Sequence, residues 1–397
     1  MKIYRNLAAA VVDALGEIFL NKKYADKVIE KVLKSNPKWG ARDRRFIAET
    51  TYDIVRWHRL FKTVAPAADD DFWKLLGVWC TWKQAELPAW TEFQNLNRKK
   101  ILAAFDEVKS DRKTRESIPD WLDELGAAEL GPLWDTELAA LNTEAPVVLR
   151  ANTLKISREA LQQQLADDSV ESKAPRDFPD ALILKQRQNI FGRPQFKDGL
   201  FEVQDAGSQL IAPFLQAEPG HRVIDACAGG GGKTLHLAAL MKNKGRIIAM
   251  DTEGWKLEEL KKRARRAGAA NIETRIIESS KTIKRLESSA DRLLLDVPCS
   301  GLGVLKRNPD AKWKLSLDFV NRVKELQQQV LTDYSAMVKP GGLLVYSTCS
   351  LLPSENEKQV ERFLNAQNNS FELLDQKSIR PSAGFDGFYM ALLKRKA

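Results

Sequence analysis

Apolar side chains recur at helical intervals through the first 140 residues. One such run is formed by Leu7, Val11, Leu15 and Ile18. This spacing places the side chains on one face of a helix, and the alternation typical of a strand is scarce in this region. The sequence therefore predicts an all-α domain over residues 1–140.

One polar stretch between these helices, residues 39–45, reads as a loop that carries three arginines beside an aromatic side chain. Arginines next to an aromatic ring can form an edge that contacts phosphate groups. They can equally belong to the solvated start of a helix. The sequence leaves both interpretations open.

The pattern changes near Pro146. Residues 147–154, 181–184 and 200–203 are rich in apolar and β-branched residues, which is typical of strands. Ser157 stands where it can cap a short helix that runs to about Leu165. A small α+β segment is therefore predicted over residues 141–203.

From Gln204 onward, short apolar strands alternate with helices. Strands are predicted at residues 223–225, 246–251, 274–277, 293–296 and 342–346, with helices at 257–267 and 319–337 among the connections. Apolar strands that alternate with helices indicate a mostly parallel sheet with helices on both faces. The fold class predicted for residues 204–397 is therefore α/β.

Ligands of such sheets bind beyond the carboxyl ends of the strands. A glycine-rich turn, residues 225–234, follows the first strand, and its backbone N–H groups can approach a ligand at a helix N-terminus. A nucleoside triphosphate, a dinucleotide and S-adenosylmethionine are all plausible ligands. Gly232-Lys233-Thr234 fits the end of a Walker A loop, but Cys227 occupies the position where that loop needs its first glycine.

The end of the second strand favours a nucleoside cofactor. Asp251 stands there, twenty residues after Gly231. A carboxylate in this position accepts hydrogen bonds from ribose hydroxyls. This feature weighs against a P-loop, although it does not separate a dinucleotide from S-adenosylmethionine.

Two thiols and a carboxylate follow the next two strands. Asp296 and Cys299 come after the fourth strand, and Cys349 comes after the fifth. If these strands are neighbours, all three side chains lie at one edge. A thiolate that adds to carbon 6 of a pyrimidine makes carbon 5 nucleophilic, and a carboxylate can hold the ring through N3 and the exocyclic amine. The constellation therefore predicts methylation of a pyrimidine at carbon 5.

Composition narrows the class of protein. The chain has 397 residues, which suggests two or three domains. Four separated cysteines and three histidines argue against a disulfide scaffold and a structural zinc site, so no metal is expected. Lys and Arg outnumber Asp and Glu by 62 to 53, for a net charge of +9, which is compatible with a nucleic-acid partner.

No apolar run approaches the roughly 18 residues that a membrane span needs. The N-terminal segment carries Arg5, Asp13 and Glu17 and is a poor signal peptide. No membrane partner is expected, and the expected location is the cytoplasm.

These motifs resemble those of the RNA cytosine-5 methyltransferases, above all the bacterial Sun/Fmu (RsmB-like) ribosomal RNA group. The resemblance rests on Asp-Val-Pro-Cys-Ser-Gly at 296–301, Ser-Thr-Cys-Ser at 347–350 and the glycine run before Lys233-Thr234. Further similar segments are residues 150–155, 204–209, 303–310 with 312–313, 353–357 and 386–389. The helices around residues 43–46 resemble the NusB-like domain of that group. The similarity is strong in the C-terminal half and weaker before residue 145.

The resemblance implies a fold and a partner. It implies a Rossmann-like S-adenosylmethionine-dependent methyltransferase domain, preceded by an all-α NusB-like RNA-binding domain and a small α+β RNA-binding segment. The expected partner is structured RNA, in particular ribosomal RNA.

It also implies roles for individual residues. Cys349 would be the nucleophile, Cys299 would help to release the product, Asp296 would hold the base, and Lys233 would lie near the cofactor and the target. The residues expected to bind S-adenosylmethionine are Asp225, Cys227, Ala228, Gly229, Gly230, Gly231, Gly232, Lys233, Asp251, Glu278 and Asp296.

The chain departs from the family pattern at two places. Gly229-Gly230 replaces the usual Ala-Pro, which makes the loop less rigid. The acidic residue that usually lies near the adenine is absent after the third strand, and Glu278 is expected to substitute for it from one position earlier.

Two alternatives from other classes stay open at this point. One is a P-loop nucleotidase that binds ATP with Mg²⁺. The other is an RNA-binding assembly factor without catalytic activity, although the pair Cys299 and Cys349 speaks against it.

Overall fold

The computed structural model describes residues 3–367 and 370–397. The chain forms two compact units. One extends to Thr143 and also contains Leu305–Leu317, whereas the other comprises Glu144–Val304 and Asp318–Ala397. The helical unit thus includes a segment that lies in the sequence between the two cysteine motifs. Bounds read along the chain, such as those predicted at 140 and 203, cannot show such an insertion.

The helices and strands of the described chain have the following bounds. The α-helices are α1 Arg5–Phe19, α2 Ala25–Ser35, α3 Ala41–Arg56, α4 His58–Val64, α5 Phe72–Trp82, α6 Arg98–Glu107, α7 Arg112–Arg115, α8 Asp120–Leu130, α9 Leu133–Leu141, α10 Arg158–Asp167, α11 Pro194–Lys197, α12 Ala206–Gln209, α13 Ile211–Phe214, α14 Gly232–Leu240, α15 Gly254–Ala267, α16 Ser280–Lys284, α17 Ala311–Lys314, α18 Leu317–Tyr334 and α19 Glu357–Ala366. The strands are β1 Val148–Ala151, β2 Ser172–Lys173, β3 Ala181–Leu184, β4 Phe201–Val203, β5 Arg222–Asp225, β6 Arg246–Asp251, β7 Ile272–Ile276, β8 Ala290–Asp296, β9 Val338–Thr348, β10 Phe371–Ile379 and β11 Phe388–Arg395.

The helical unit is built from α1–α9 and α17. The periodic residues of α1 are buried, among them Leu7, Val11 and Leu15, and they pack with residues of α3 and α5 in one core. The helical spacing of the first 140 residues predicts this correctly, because one apolar stripe per helix is what a helical core buries.

The stretch 39–45 is mostly the start of α3 and only partly a loop. Gly40 precedes the helix, and its N–H donates to Asp43 Oδ2 at 3.1 Å. Arg44 donates to the carbonyl oxygens of Leu33 and Trp39 at 2.8 and 2.9 Å. Arg44 therefore ties α3 to the end of α2, and the helix-start interpretation describes this segment.

The second unit begins with a small antiparallel sheet in the order β2-β3-β1-β4. Leu149, Leu161 and Leu182 are among the residues of its core, which α10 covers. Ser157 caps α10, since its side chain accepts a hydrogen bond from the N–H of Ala160 at 3.2 Å. The predicted α+β character and the predicted cap are both present.

The larger sheet has seven strands in the order β10-β11-β9-β8-β5-β6-β7. The five strands β5 to β9 run parallel to one another. Strands β10 and β11 lie at one side of the sheet and pair antiparallel. Separate apolar clusters pack around this sheet, one with Ile224 and Leu293, the other with Val223 and Leu294. The fold is the Rossmann-like α/β fold that the sequence predicts.

None of the helices in the described ranges is long and apolar enough to cross a membrane.

Candidate active site

The strand order brings the residues that are predicted to bind the cofactor and carry out the reaction to the carboxyl ends of neighbouring parallel strands. Strand β8 lies between β5 and β9, and β6 lies on the other side of β5. Asp225, Asp251 and Asp296 end β5, β6 and β8, and Cys349 directly follows β9. Because these strands are parallel, their carboxyl ends meet.

The glycine-rich loop joins β5 to α14 and needs glycine at two positions. Gly229 and Gly231 have φ angles of +53° and +86°. A Cβ on Gly231 would also lie 2.5 Å from Cγ of Leu260. Ala228, which donates to the carbonyl of Met250 at 2.9 Å, leads into this turn, and Gly232 begins the helix.

Two arginine side chains hold the glycine-rich loop through its backbone carbonyl groups. Arg263 donates to the carbonyl of Gly230, and Arg150 to that of Gly232, each at 2.6 Å. These contacts restrain the loop even though Gly229-Gly230 replaces the more rigid Ala-Pro. The sequence analysis missed both arginines, although Arg150 lies within a segment that resembles the family.

Asp251 closes the other side of the loop. Its Oδ2 accepts the N–H of Gly229 at 2.9 Å, and its Oδ1 accepts that of Glu253 at 2.9 Å. Asp251 is therefore held at the entrance of the loop, at the end of β6. Glu278 follows β7 at the same edge and is exposed.

Asp225 is buried beneath the loop. Its Oδ2 accepts the hydroxyl of Thr234 at 2.7 Å, whereas Oδ1 has no hydrogen-bond partner among the described residues. Burial raises the pKa of Asp225 to about 7, and the neighbouring carboxylate of Asp296 acts in the same direction. An unpartnered oxygen in a buried place is well suited to a polar ligand group.

Cys227 lies beside Asp225. Burial and then the carboxylates of Asp225, Asp296 and Asp251 raise the pKa of its thiol well above the usual value. The Cys227 side chain therefore remains a neutral thiol at neutral pH.

Cys299 and Cys349 lie side by side. Their sulfur atoms are 3.2 Å apart, and the N–H of Cys349 donates to the Sγ of Cys299 at 3.3 Å. The hydrogen bond to Cys349, followed by burial, raises the pKa of the Cys299 thiol well above its usual value. Cys299 is therefore a neutral thiol at neutral pH.

Lys233 and Asp296 form an ion pair at the same edge. Lys233 Nζ contacts Asp296 Oδ2, and Ser347 Oγ donates to Asp296 Oδ1 at 2.9 Å. Burial opposes the charge of Lys233, but the attraction of Asp296 outweighs it and raises the pKa of Lys233. Lys233 also lies over the ring of Phe388, 5.7 Å from its centroid.

The structure thus groups the predicted residues into two neighbouring sets. The first is the glycine loop with Asp225 and Asp251, and the second is Lys233, Asp296, Cys299 and Cys349. Ser347 was missed by the sequence analysis, although it stands within the Ser-Thr-Cys-Ser motif. In the described ranges, no cluster of three or more His, Cys, Asp or Glu side chains could hold a metal ion.

Comparison with known proteins identifies the family. Residues 212–394 match the model of the 16S rRNA methyltransferase RsmB/F, and residues 118–191 match that of the RsmF/B-like ferredoxin-like domain. A probable ribosomal RNA small subunit methyltransferase B of Synechocystis is 34% identical over 88% of this chain and 87% of its own. Ribosomal RNA small subunit methyltransferase B of Pasteurella multocida is 35% identical over 72% of this chain and 67% of its own.

A solved structure agrees with this assignment at the level of the fold. The crystal structure of PH0851 superimposes with a TM-score of 0.84 at 26% identity and covers 100% of both chains. The motifs at the edge of the sheet, the two family models and the relative that matches most of the chain agree. The chain belongs to the RsmB/F family of 16S rRNA methyltransferases.

Proposed function

We propose that this protein transfers a methyl group from S-adenosylmethionine to carbon 5 of a cytidine in ribosomal RNA, through a covalent bond between Cys349 and carbon 6 of the base. One observation carries the proposal. The sulfur atoms of Cys299 and Cys349 lie 3.2 Å apart at the sheet edge that also bears the ion pair of Lys233 and Asp296.

The glycine loop fits S-adenosylmethionine. The buried, unpartnered Oδ1 of Asp225 suits the ammonium group of the methionine part, and Asp251 suits the ribose hydroxyls. Glu278 is exposed just after the end of β7, and it is the residue that would contact the adenine. When it is bound, S-adenosylmethionine supplies an electrophilic methyl group.

The protein's own residues prepare the base. Cys349 as a thiolate adds to carbon 6, which raises the electron density at carbon 5. Asp296, which Lys233 and Ser347 hold in place, is the group that would bind N3 and the exocyclic amine of cytosine. The hydrogen at carbon 5 then leaves as a proton to water, its electron pair re-forms the double bond between carbons 5 and 6, and the bond between carbon 6 and sulfur breaks to return the Cys349 thiolate.

Cys299 suits the release step. Its raised thiol pKa keeps it protonated, and its sulfur lies within hydrogen-bond distance of Cys349. An S–H donor beside the departing sulfur stabilises the thiolate that forms when the base leaves. The two cysteines therefore have different tasks. Cys349 attacks the base as a thiolate, and the S–H group of Cys299 stabilises that thiolate when the base leaves.

The target base has to reach Cys349 outside its stack, at a cost of about a few kcal/mol. The net charge of +9 suits binding to RNA phosphates. The P-loop alternative has less support, because Asp251 binds the loop and the chain belongs to a methyltransferase family.

The test replaces each cysteine and uses unmodified small-subunit ribosomal RNA with S-adenosylmethionine. We expect Cys349→Ala to lower methyl transfer by at least about a thousandfold, because the nucleophile is lost. Cys299→Ala should accumulate a protein–RNA species that survives denaturing electrophoresis, and the double variant should not form it.

Cys80→Ala is the matched control, since Cys80 is a buried thiol of the helical unit. It should leave methyl transfer unchanged. Full activity of Cys349→Ala, or a modified nucleoside other than 5-methylcytidine in the product, would contradict the proposal.

A further inference from the structure

Glu355 is a buried carboxylate that the mechanism above does not use. It belongs to Pro-Ser-Glu-Asn-Glu at 353–357, a segment to which the sequence analysis assigned no role. We propose that Glu355 is a positioning residue that sets the separation of the Cys299 and Cys349 sulfurs. This inference rests on the proposed function of the two cysteines.

The loops that carry Cys299 and Cys349, here called the two cysteine loops, both donate hydrogen bonds to Glu355. Ser300 follows Cys299 and donates its N–H to Oε2 at 2.8 Å and its hydroxyl to Oε1. Ser350 follows Cys349 and also donates its hydroxyl to Oε1. A single carboxylate group therefore joins the residues that come directly after the two thiols.

Gln327 extends this contact to the other side of Cys299. Its Nε2 donates to Glu355 Oε2 at 2.9 Å and to the carbonyl of Pro298 at 3.0 Å. Cys299 is thus held through both of its neighbours in the chain. Gln327 lies on α18 and is fully buried.

Asn356 does the same for Cys349. Its Oδ1 accepts the hydroxyl of Thr348, and its Nδ2 donates to the carbonyl of Ser350 at 3.1 Å. The backbone of Glu355 is fixed as well, because the hydroxyl of Tyr346 donates to its carbonyl at 2.6 Å. Glu355 and Asn356 therefore hold the chain on both sides of Cys349, and Glu355 together with Gln327 holds it on both sides of Cys299.

The burial of Glu355 makes this arrangement strict. The residue has no exposed surface, and a buried polar group is tolerated only where hydrogen bonds satisfy it. Its donors come from both cysteine loops and from Gln327, so that a shift of either loop removes hydrogen bonds from the buried carboxyl group. Misplacement of reacting groups by about 1 Å can cost about a hundredfold in rate.

The test is Glu355→Gln, which keeps the shape but replaces an acceptor oxygen with an NH₂ group that faces donors. We expect kcat for methyl transfer to fall by at least about tenfold, with the Kd for S-adenosylmethionine unchanged. With Cys299 intact, this variant should also accumulate the protein–RNA species, because release depends on the distance between the sulfurs. Glu361→Gln, an exposed change on α19, is the matched control and should behave as wild type.

A merely structural role predicts a different result. Glu355→Gln would then be less stable, but its folded fraction would turn over at the wild-type rate and trap no RNA, which would overturn the inference. If Cys299→Ala traps RNA and Glu355→Gln does not, the positioning role fails while the proposed function stands. If Cys349→Ala remains active, both fail.

A second measurement applies if Glu355→Gln does not fold. Gln327→Leu and Ser350→Ala each remove one donor to Glu355, the first on the side of Cys299 and the second on the side of Cys349, and their double variant removes both. If one carboxyl group couples the two sides, the effects on kcat should not multiply. Independent, multiplying effects would overturn the inference.

Discussion

The four cysteines show how far one type of side chain depends on its surroundings. Burial raises the pKa of Cys80 to about 12, and burial with three carboxylates raises that of Cys227. Both are neutral and have no sulfur partner in the part of the chain described here. Cys299 and Cys349 differ because each meets the other sulfur, next to Lys233 and Asp296.

For a single residue, the buried carboxyl group of Asp225 predicts how the free energy of unfolding depends on pH. Its pKa rises from 3.8 to about 7 on folding, so between these values the folded protein keeps a proton that the unfolded chain has lost. This contribution to stability is complete at low pH and is lost as the pH rises through about 7. The free energy of unfolding of the wild type relative to Asp225→Asn should therefore fall with rising pH, by up to about 1.4 kcal/mol per pH unit.

Urea unfolding of both proteins at several pH values between 4 and 8 measures this difference. Buried His58 and His236, whose pKa values burial lowers to about 4, act in the opposite sense, but they are present in both proteins and cancel. A difference that does not change with pH would mean that Asp225 is ionised in the folded protein throughout this range.

At the scale of elements, the loop between β5 and α14 is determined by what lies around it. Its glycines allow the positive φ angles, Leu260 of α15 leaves no space at Gly231, and Arg150 and Arg263 bind two of its carbonyls. The loop is therefore defined by contacts with other elements, and these replace the stiffness of the usual Ala-Pro.

Gly231→Ala should disrupt this loop. The substitution combines a φ of +86° with a Cβ placed 2.5 Å from Leu260, and we expect it to destabilise the protein by about 2 kcal/mol or more. The measurement is chemical unfolding together with the Kd for S-adenosylmethionine, which should rise.

Gly220→Ala is the control for backbone strain alone. Gly220 has a φ of +99° and nothing within 4 Å of its Cβ position. It should cost about 1 kcal/mol and leave cofactor binding unchanged. Equal losses in both variants would mean that Leu260 moves aside freely.

At the scale of the whole molecule, the segment Leu305–Leu317 belongs to the helical unit. Its neighbours in sequence belong to the second unit, which contains the candidate active site and is called the catalytic unit below. Arg56 of α3 donates to the carbonyl of Lys306 at 2.8 Å, and Trp313 donates to the carbonyl of Val55 at 2.7 Å. The N–H of Ala25 donates to Asp310 at 3.1 Å. The helical unit is thus completed by a segment from the second half of the chain.

Trp313→Ala should therefore weaken the helical unit. The indole packs against its core and meets the ring of His58 at 5.4 Å, so its removal should cost about 2 kcal/mol or more. Hydrogen exchange should become faster in α3 and remain unchanged in β5 and β6. Trp255→Ala, which removes an indole that is 69% exposed in the catalytic unit, should change neither. Faster exchange in β5 and β6 alone would contradict this placement.

The pattern of apolar residues was enough to predict the helical character of the first 140 residues and the five strands that run parallel. Strand β6 and strand β3 have the predicted bounds, because period and composition are local signals. The prediction that Asp296, Cys299 and Cys349 lie together depended on β8 and β9 being neighbours, and the sheet order shows that they are.

Features that depend on residues far apart in the chain became visible only in the folded protein. Folding added β10 and β11 as antiparallel edge strands, moved residues 305–317 into the helical unit, and brought Glu355, Gln327, Arg150 and Arg263 to their partners. These polar side chains have no periodicity, because a hydrogen bond requires a partner at one place in space and not at a fixed interval in sequence.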